Sequence, residues 1–513
     1  MTTLGILLLC AAVGLIVART RRVQLAGTTT GPALAAEVVI PVLLLGVVFA
    51  FYETVLLNVR WGWSACRLAP TIGLFHGYPL YSAADAGPIN GWLYGPVAAV
   101  AWMPAALADS PLPALQIAAT INLVFMLGPL LVTSVRFTPG TGLARLVGFA
   151  FGAAALLQVY PTWYMASALN VDAIAVGLGA AAILAIVGDE PRRAWREPLA
   201  ALLCALAAWT KQTEISVVLA LAAWLWVSRG RRSAGRFAVY FAASMVIVAA
   251  LIAILADPGA AWLNMWRIPS AHPLAGGWQA AGIELVELAR YSLVFSVPCV
   301  VGLLVSARGK DGEAAAVQRR SALVLPLLAA AAVLPLSVMA TIKLGGDRNS
   351  MHPVYYLAVG ATMAIGRVWA FPPRRPGLIR SLLLLASAAA VVVSVRQVQG
   401  YARLTMLPPR CLSQEAWAFA KAHPREMYFP WDPLATLMAE GRMYHFEYGV
   451  QDRIYAGLAP EPGHIAAGLP SELKAVVYPR VDGSRAMLRR YLPQYSRLVA
   501  TEDWMIFRRP EGK

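Results

Sequence analysis

FYETVLLNVRWGWSACRLAPTIGLFHGYPLYSAADAGPINGWLYGP, residues 51–96, is the stretch on which the reading of the whole chain turns. It is the longest polar interval between apolar runs in the first 250 residues. Glu53 stands where one apolar run ends, and Tyr94-Gly95-Pro96 opens the next. Between them lie Arg60, Arg67, His76 and Asp85, interleaved with Trp61, Trp63, Tyr81 and Trp92. Charge mixed with aromatic side chains that favour a membrane–water boundary marks a loop tied between two spans, and the chemistry is expected there.

The composition agrees. Of 513 residues, 59% are hydrophobic and 14% charged, and the mean hydropathy is +0.61. That is a polytopic membrane protein and not a soluble one with a large core. A formal net charge of +16 would point to nucleic acid in a soluble chain. Here the basic residues fall in short loops between apolar runs, which is topogenic charge, so no nucleic-acid partner is expected. Cys10, Cys66, Cys204, Cys299 and Cys411 show neither a CxxC nor a metal spacing. A disulfide between Cys66 and Cys411, which fall on the same expected side, stays open.

The run 4–18 has no preceding positive charge and is followed by Arg19, Arg21 and Arg22, so it reads as an uncleaved span. The run 34–53 returns to the outer face. Basic clusters at Arg192–Arg196, Arg229–Arg236, Arg308–Arg320 and Arg374–Arg380 belong inside. Spans at 237–255, 285–306, 321–342, 352–370 and 379–396 fit that alternation. Four runs, 93–108, 113–134, 145–160 and 170–187, occupy a place where an odd number of crossings is needed, so one is a partial crossing. Runs 198–210 and 213–228 read as two half-length helices meeting at Lys211 or as a shallow hairpin. The expected architecture is an all-α polytopic domain of about 12 spans over residues 1–397, with a large first outer loop at 54–92. Beyond it, residues 398–513 read as a small extracytoplasmic α/β domain. EAWAFAKAH (415–423) has helical spacing and 484–491 looks helical; MYF (427–429), KAVVYP (474–479), SRLVA (496–500) and DWMIFR (503–508) read as strands.

Ionisable groups at span ends are functional candidates. Glu53 could serve as a general base toward a hydroxyl, or be a solvated helix-end charge. Asp85 lies in the turn-rich SAADAGPING, where Asp is also ordinary turn chemistry. Asp172 opens the run 170–187, where a helix dipole alone would favour it, and it could hold a metal or sugar. Lys211, in AAWTKQTEIS, would need an anion: lipid phosphate, or Glu214 three residues on. In GGDRNSMH, 345–352, paired glycines allow close backbone approach; Arg348 and His352 could hold phosphate, and Asp347 sugar hydroxyls. Asp257, Trp266, Arg267, His272 and Trp278 in another outer loop could stack on sugar or anchor the interface. No cofactor is certain; a divalent cation, Mg²⁺ or Mn²⁺, stays open. No P-loop, GxGxxG after a strand, GxSxG or HExxH occurs, so nucleotide-driven chemistry is unsupported.

Several of these motifs resemble the GT-C superfamily of polyprenyl-phosphate-sugar-dependent glycosyltransferases, on the bacterial branch of protein O-mannosyltransferases and aminoarabinose transferases. The resemblance rests on GYPLY late in the first loop, YGP opening the next span, NVDAIAVGLGAAAILA, AAWTKQTEISVVLAL and IKLGGDRNSMHPVYYLA, and covers roughly residues 34–396. It implies transfer with inversion of a sugar from a polyprenyl phosphate to an acceptor hydroxyl of a glycan, lipid or protein. The setting would be the outer face of the cytoplasmic membrane, with Glu53 or Asp85 as base. The family usually carries an Asp about twenty residues before its Gly-x-Pro-x-Tyr element; that window reads NVRWGWSA here and holds no acid. The competing readings are a lipid or solute transporter, which would favour inverted repeats with mid-membrane breaks, and a non-catalytic scaffold of the same build.

Overall fold

The computed structural model describes residues 62–137, 168–187, 194–275, 277–289, 313–369, 411–480 and 484–510, with a few positions between 145 and 156. Glu53 and the expected spans at 4–18, 34–53 and 379–396 lie outside the described residues.

The loop stretch carries a helix of its own, α1 (Gly62–Phe75). The next apolar run forms only α2 (Val97–Trp102) and a 3₁₀ turn, Met103–Leu107. Six α and five 3₁₀ residues reach about 20 Å, short of a hydrocarbon layer about 30 Å thick. This run is therefore a partial crossing of the kind the alternation demanded. It is followed by α3 (Pro111–Phe137), α4 (Val171–Ile186), α5 (Arg196–Thr210), α6 (Ile215–Arg229), α7 (Arg231–Leu255), α8 (Glu313–Thr341) and α9 (His352–Trp369). Three helices among the described residues are long and apolar enough to cross a membrane: Pro111–Phe137, Arg231–Leu255 and Ser321–Thr341. Beyond Arg236 the exposed large side chains on α7 are apolar, among them Val239, Val246, Ile247, Leu251 and Ile254. In water that face would be costly; in a bilayer it meets lipid.

The two ends of the bundle differ in chemistry. At one end Arg136 Nη1 donates to Leu184 O (2.6 Å) and Arg229 Nη2 to Ile186 O (3.0 Å). These guanidinium groups satisfy the last carbonyls of α4, where the helix dipole favours a cation. Glu197, on the first turn of α5, accepts from Ser233 Oγ (2.5 Å) and pairs with Arg236 Nη2 (3.1 Å) and Arg229 Nη1 (3.6 Å). Contact between the start of α5 and the end of α6 makes the two a hairpin. Each is 15 residues, about 22 Å, and Lys211 sits at the tip. The tip lies at the opposite end from the arginines, together with Asp172 on the first turn of α4.

The C-terminal unit packs on that tip end. It comprises α10 (Leu412–Ala422), β1 (Met427–Tyr428), α11 (Pro433–Glu440), α12 (Glu447–Tyr455), β2 (Ala475–Pro479), α13 (Ala486–Tyr491), β3 (Arg497–Ala500) and β4 (Trp504–Arg508). The sheet order is β1-β2-β4-β3, with β1 parallel to β2 and the other pairs antiparallel. All four strands and both helices expected there form. One hydrophobic core joins this unit to α1, α2 and the polar loop, through Trp92, Trp102, Trp431, Phe446 and Tyr448. Trp63 meets Trp431 edge-on at 4.8 Å between ring centroids. Gly91 and Gly449 lie back to back: a Cβ on Gly91 would stand 2.6 Å from Gly449 Cα. No disulfide joins Cys66 to Cys411; the Cys66 thiol donates to Trp431 O (2.9 Å), and both cysteines are buried in this seam.

Candidate functional site

Lys211 has extended backbone between two helices (φ −143°, ψ 123°), which ends α5 and aims its side chain across the tip. Gln212 fixes that break: its Nε2 donates to Leu93 O and Met265 O, both at 3.1 Å. The YGP turn presses on the same place, since a Cβ on Gly95 would stand 1.5 Å from Trp209 O.

Lys211 Nζ is ion-paired with Asp172 Oδ1 at very short range, and both are buried. The pairing with Glu214 anticipated as an alternative does not form. Glu214 instead packs behind, its Oε2 facing Gly179 of α4 and its Oε1 without a partner among the described residues. The second Asp172 oxygen accepts from Asn349 Nδ2 (3.1 Å). Asn349, in the GGDRNSMH loop, was not singled out in the sequence; its Asp347 and Arg348 neighbours were. His352 is fully buried beside this cluster, within electrostatic reach of Lys211, and neither ring nitrogen has a partner among the described residues. Its ring lies 5.7 Å from that of Tyr356. An orphaned buried imidazole costs stability unless something pairs with it, which marks the spot as a place for a ligand.

The cluster extends toward the C-terminal unit. Arg67 Nη1, on α1, donates to Asn170 Oδ1 (3.1 Å) and Tyr94 OH (2.9 Å) and lies over the Tyr94 ring. Asn170 precedes α4, and its carbonyl accepts from Asn122 Nδ2 (2.8 Å). On the far side of Arg67, within electrostatic reach, is Asp452 of α12. His272 Nε2 lies 3.0 Å from Asp452 O and 3.8 Å from its Oδ1. Burial holds His272 below its ordinary value, so the neutral ring donates from Nε2 to the carbonyl. Asp172, Lys211 and Asn349 thus form one bonded cluster beside His352, and Arg67 forms a second with Asn170 and Tyr94, within electrostatic reach of Asp452 on the C-terminal unit.

Other expected residues stand apart. Asp347 is exposed and accepts from Arg348 N (2.7 Å), capping the turn Arg348–Met351. Arg348 Nε donates to Glu284 Oε1 (2.9 Å). Asp85 is exposed at the loop tip. Arg453 grips that tip from below, donating to Ala83 O (2.6 Å) and Ala84 O (2.7 Å). Asp257 accepts from Gly259 N and Ala260 N as an N-cap. Trp262 and Trp266 stack at 5.8 Å and are exposed, as is Trp278, which suits an interface anchor. The two oxygens of Asp172 are taken by an ammonium and an amide. No group of three His, Cys, Asp or Glu converges among the described residues. This donor set does not fit a divalent cation, so no step is drawn through one.

No family model matches the chain, and no curated protein matches it in sequence. Among the solved structures that match in fold are two of ArnT from Cupriavidus metallidurans, one bound to undecaprenyl phosphate and one in the apo state. Each shares 12% identity and a TM-score of 0.55, over 91% of this chain and 97% of ArnT. With its tip-end polar cluster and docked C-terminal unit, this chain shares its fold with these two ArnT structures.

Proposed function

We propose that this protein transfers a sugar from a polyprenyl-phosphate donor to an acceptor hydroxyl at the outer face of a cytoplasmic membrane. The observation that carries it is the buried Lys211–Asp172 pair at the helix break, next to His352, whose ring has no partner among the described residues, at the end of the bundle opposite the arginines. The fold supports the donor class, because ArnT with the same fold binds undecaprenyl phosphate. The arginines at the other end support the orientation.

Each residue has a distinct task. Lys211 keeps two ammonium hydrogens beyond the one given to Asp172, and these meet the donor phosphate. Asp172 aims the lysine and compensates its charge when the site is empty; Asn349 holds the other Asp172 oxygen. His352 donates to a phosphate oxygen, and Arg348 guides the headgroup from the rim. Asp347 stays with the sugar hydroxyls. The phosphate leaves with the bonding electrons of its sugar–oxygen bond, and fixed cations stabilise that charge in a water-poor site. A carboxylate must take the acceptor's proton; the sequence offers Glu53 and Asp85 for that task.

Purified protein in lipid is tested for release of polyprenyl phosphate from a panel of polyprenyl-phosphate sugars. Turnover with at least one donor, lost in Lys211→Ala, is expected. Binding of such lipids without turnover on any donor and acceptor would favour the non-catalytic scaffold, which the acid-free NVRWGWSA window keeps in view.

A further inference from the structure

The end of the bundle away from Lys211 carries a surface of different chemistry. Within α5, α6 and α7 that end holds Arg196, Arg229, Arg231, Arg232 and Arg236 against one carboxylate, Glu197. Arg229 and Arg236 share Glu197, and Arg229 also caps α4. Arg231 is turned onto α6, its guanidinium 5.7 Å from the centre of the Trp226 ring. Arg232 is exposed and has no hydrogen bond or ion pair among the described residues. One turn further on, the Arg236 side chain is 63% exposed: Nη2 meets Glu197 and the rest of the guanidinium is open.

Arg232 and Arg236, four residues apart, lie one above the other on one face of α7. The same face continues with Val239, Tyr240, Val246, Ile247 and Ile254, all exposed. α7 packs on α5 and α6 along its other side. Only 6% of its apolar window is buried, against 33% for α3 and 50% for α8, so α7 stands at the edge of the bundle. Its 25 residues reach about 38 Å, enough to cross the hydrocarbon layer. The arginine pair therefore stands at the headgroup level of one leaflet, and the apolar stripe runs from it among the acyl chains. Tyr240, one turn below Arg236, and the exposed Trp195, beside Glu197 on α5, lie at the depth that interfacial aromatic rings prefer.

We infer that this face of α7 is a binding site for an anionic phospholipid of the inner leaflet, with the phosphodiester between Arg232 and Arg236 and an acyl chain along the stripe below them. A guanidinium presents its donors in a fixed fork that fits phosphate oxygens. Glu197 already holds Arg236 in place, which lowers the cost of ordering that side chain when the lipid arrives. The balance of charge selects the headgroup. A zwitterionic lipid brings a cation of its own to a surface where five arginines face one glutamate, and that glutamate is occupied by Ser233, Arg229 and Arg236. A lipid with net negative charge meets no such repulsion. The inner leaflet follows from the arginines at this end. The site lies at the opposite end from Lys211, so it stands or falls apart from the sugar-transfer reading.

The test titrates phosphatidylglycerol into the full chain in phosphatidylcholine nanodiscs, counting retained lipid by native mass spectrometry, with melting temperature as a second readout. Wild type should retain phosphatidylglycerol saturably and in preference to phosphatidylcholine, less so as salt rises. Arg232→Gln and Arg236→Gln should each weaken retention roughly fivefold, and the pair together roughly 30-fold. Arg231→Gln removes the same charge from beside Trp226 and should leave retention at the wild-type level. Arg232 holds no other group, so Arg232→Gln decides the matter even if Arg236→Gln loosens Glu197. Equal weakening in Arg231→Gln would mean diffuse surface charge and overturn the site. Absence of preference for phosphatidylglycerol in wild type would do the same. So would displacement of the retained lipid by undecaprenyl phosphate, which would put it at the Lys211 end.

Discussion

Replacing Lys211 by methionine is the sharpest structural perturbation available. Asp172 is fully buried and Lys211 nearly so. Without the ammonium, the Asp172 carboxylate keeps a single described partner, the Asn349 amide at 3.1 Å. An uncompensated buried charge of this kind costs about 3–5 kcal/mol. Asp172→Asn should cost a similar amount, because it strands the lysine. Removing both charges together, Asp172→Asn with Lys211→Met, should leave the protein within about 1 kcal/mol of wild type, since the desolvation of two ions is no longer incurred. The cycle then yields a coupling of several kcal/mol between the two sites. Unfolding in lipid nanodiscs, followed by denaturant or heat, measures all four corners. The double variant should be stable and inactive, which separates the structural role of the pair from its role on the donor. Two single losses below about 1 kcal/mol that simply add would refute the buried pair.

Three further outcomes follow from the seam and the loop. His445 accepts the Ile89 N–H at 3.0 Å and is held at about 4 by burial and by the neighbouring His464. Its folded value is depressed, so its contribution is complete above the unfolded value near 6.5 and is lost as pH falls toward about 4. The loss reaches ~3 kcal/mol, and His445→Gln should flatten melting temperature against pH across that window. Gly95→Ala would place a methyl 1.5 Å from the Trp209 carbonyl, a backbone clash that no rotamer relieves; thermal unfolding should register several kcal/mol, on the order of the larger core effects. Gly449→Ala would bring its Cβ within 2.6 Å of Gly91 N and separate the C-terminal unit from the loop; faster proteolysis between the two is expected, whereas an unchanged digest would argue against a shared core.

What the sequence disclosed, and what it withheld, follows from the range of the interactions. The break at Lys211, the start of α4 with Asp172 in its first turn and the four C-terminal strands are local patterns, written in periodicity and in single polar interruptions of apolar runs. The loop helix α1 was hidden because Pro70 and its close-set Trp63, Arg67 and His76 surroundings read as turn and interface chemistry. Asn349 was passed over in favour of its charged neighbours, although an amide is what a carboxylate already paired with lysine can still accept from. Arg67 was noted only as loop charge, and Asp452 drew no notice at all. EYGVQDRIY is an ordinary short helix until folding sets it against a loop hundreds of residues earlier, as the Cys66–Trp431 contact across 365 positions does nearby. Trp266 and Trp278, read as a sugar platform or an anchor, sit exposed in the manner of an anchor, with Trp262 stacked on Trp266.

The central claim is that donor phosphate is held at the Lys211 end of the bundle. Undecaprenyl phosphate should be titrated into wild type, Lys211→Ala and Arg229→Ala in nanodiscs. Saturable binding is predicted, weakened by roughly 10–100-fold in Lys211→Ala, the value of one charge-assisted hydrogen bond of about 1.5–3 kcal/mol. It should be unchanged in Arg229→Ala, whose guanidinium caps α4 at the opposite end. Equal binding by all three, or a loss confined to Arg229→Ala, would contradict the account.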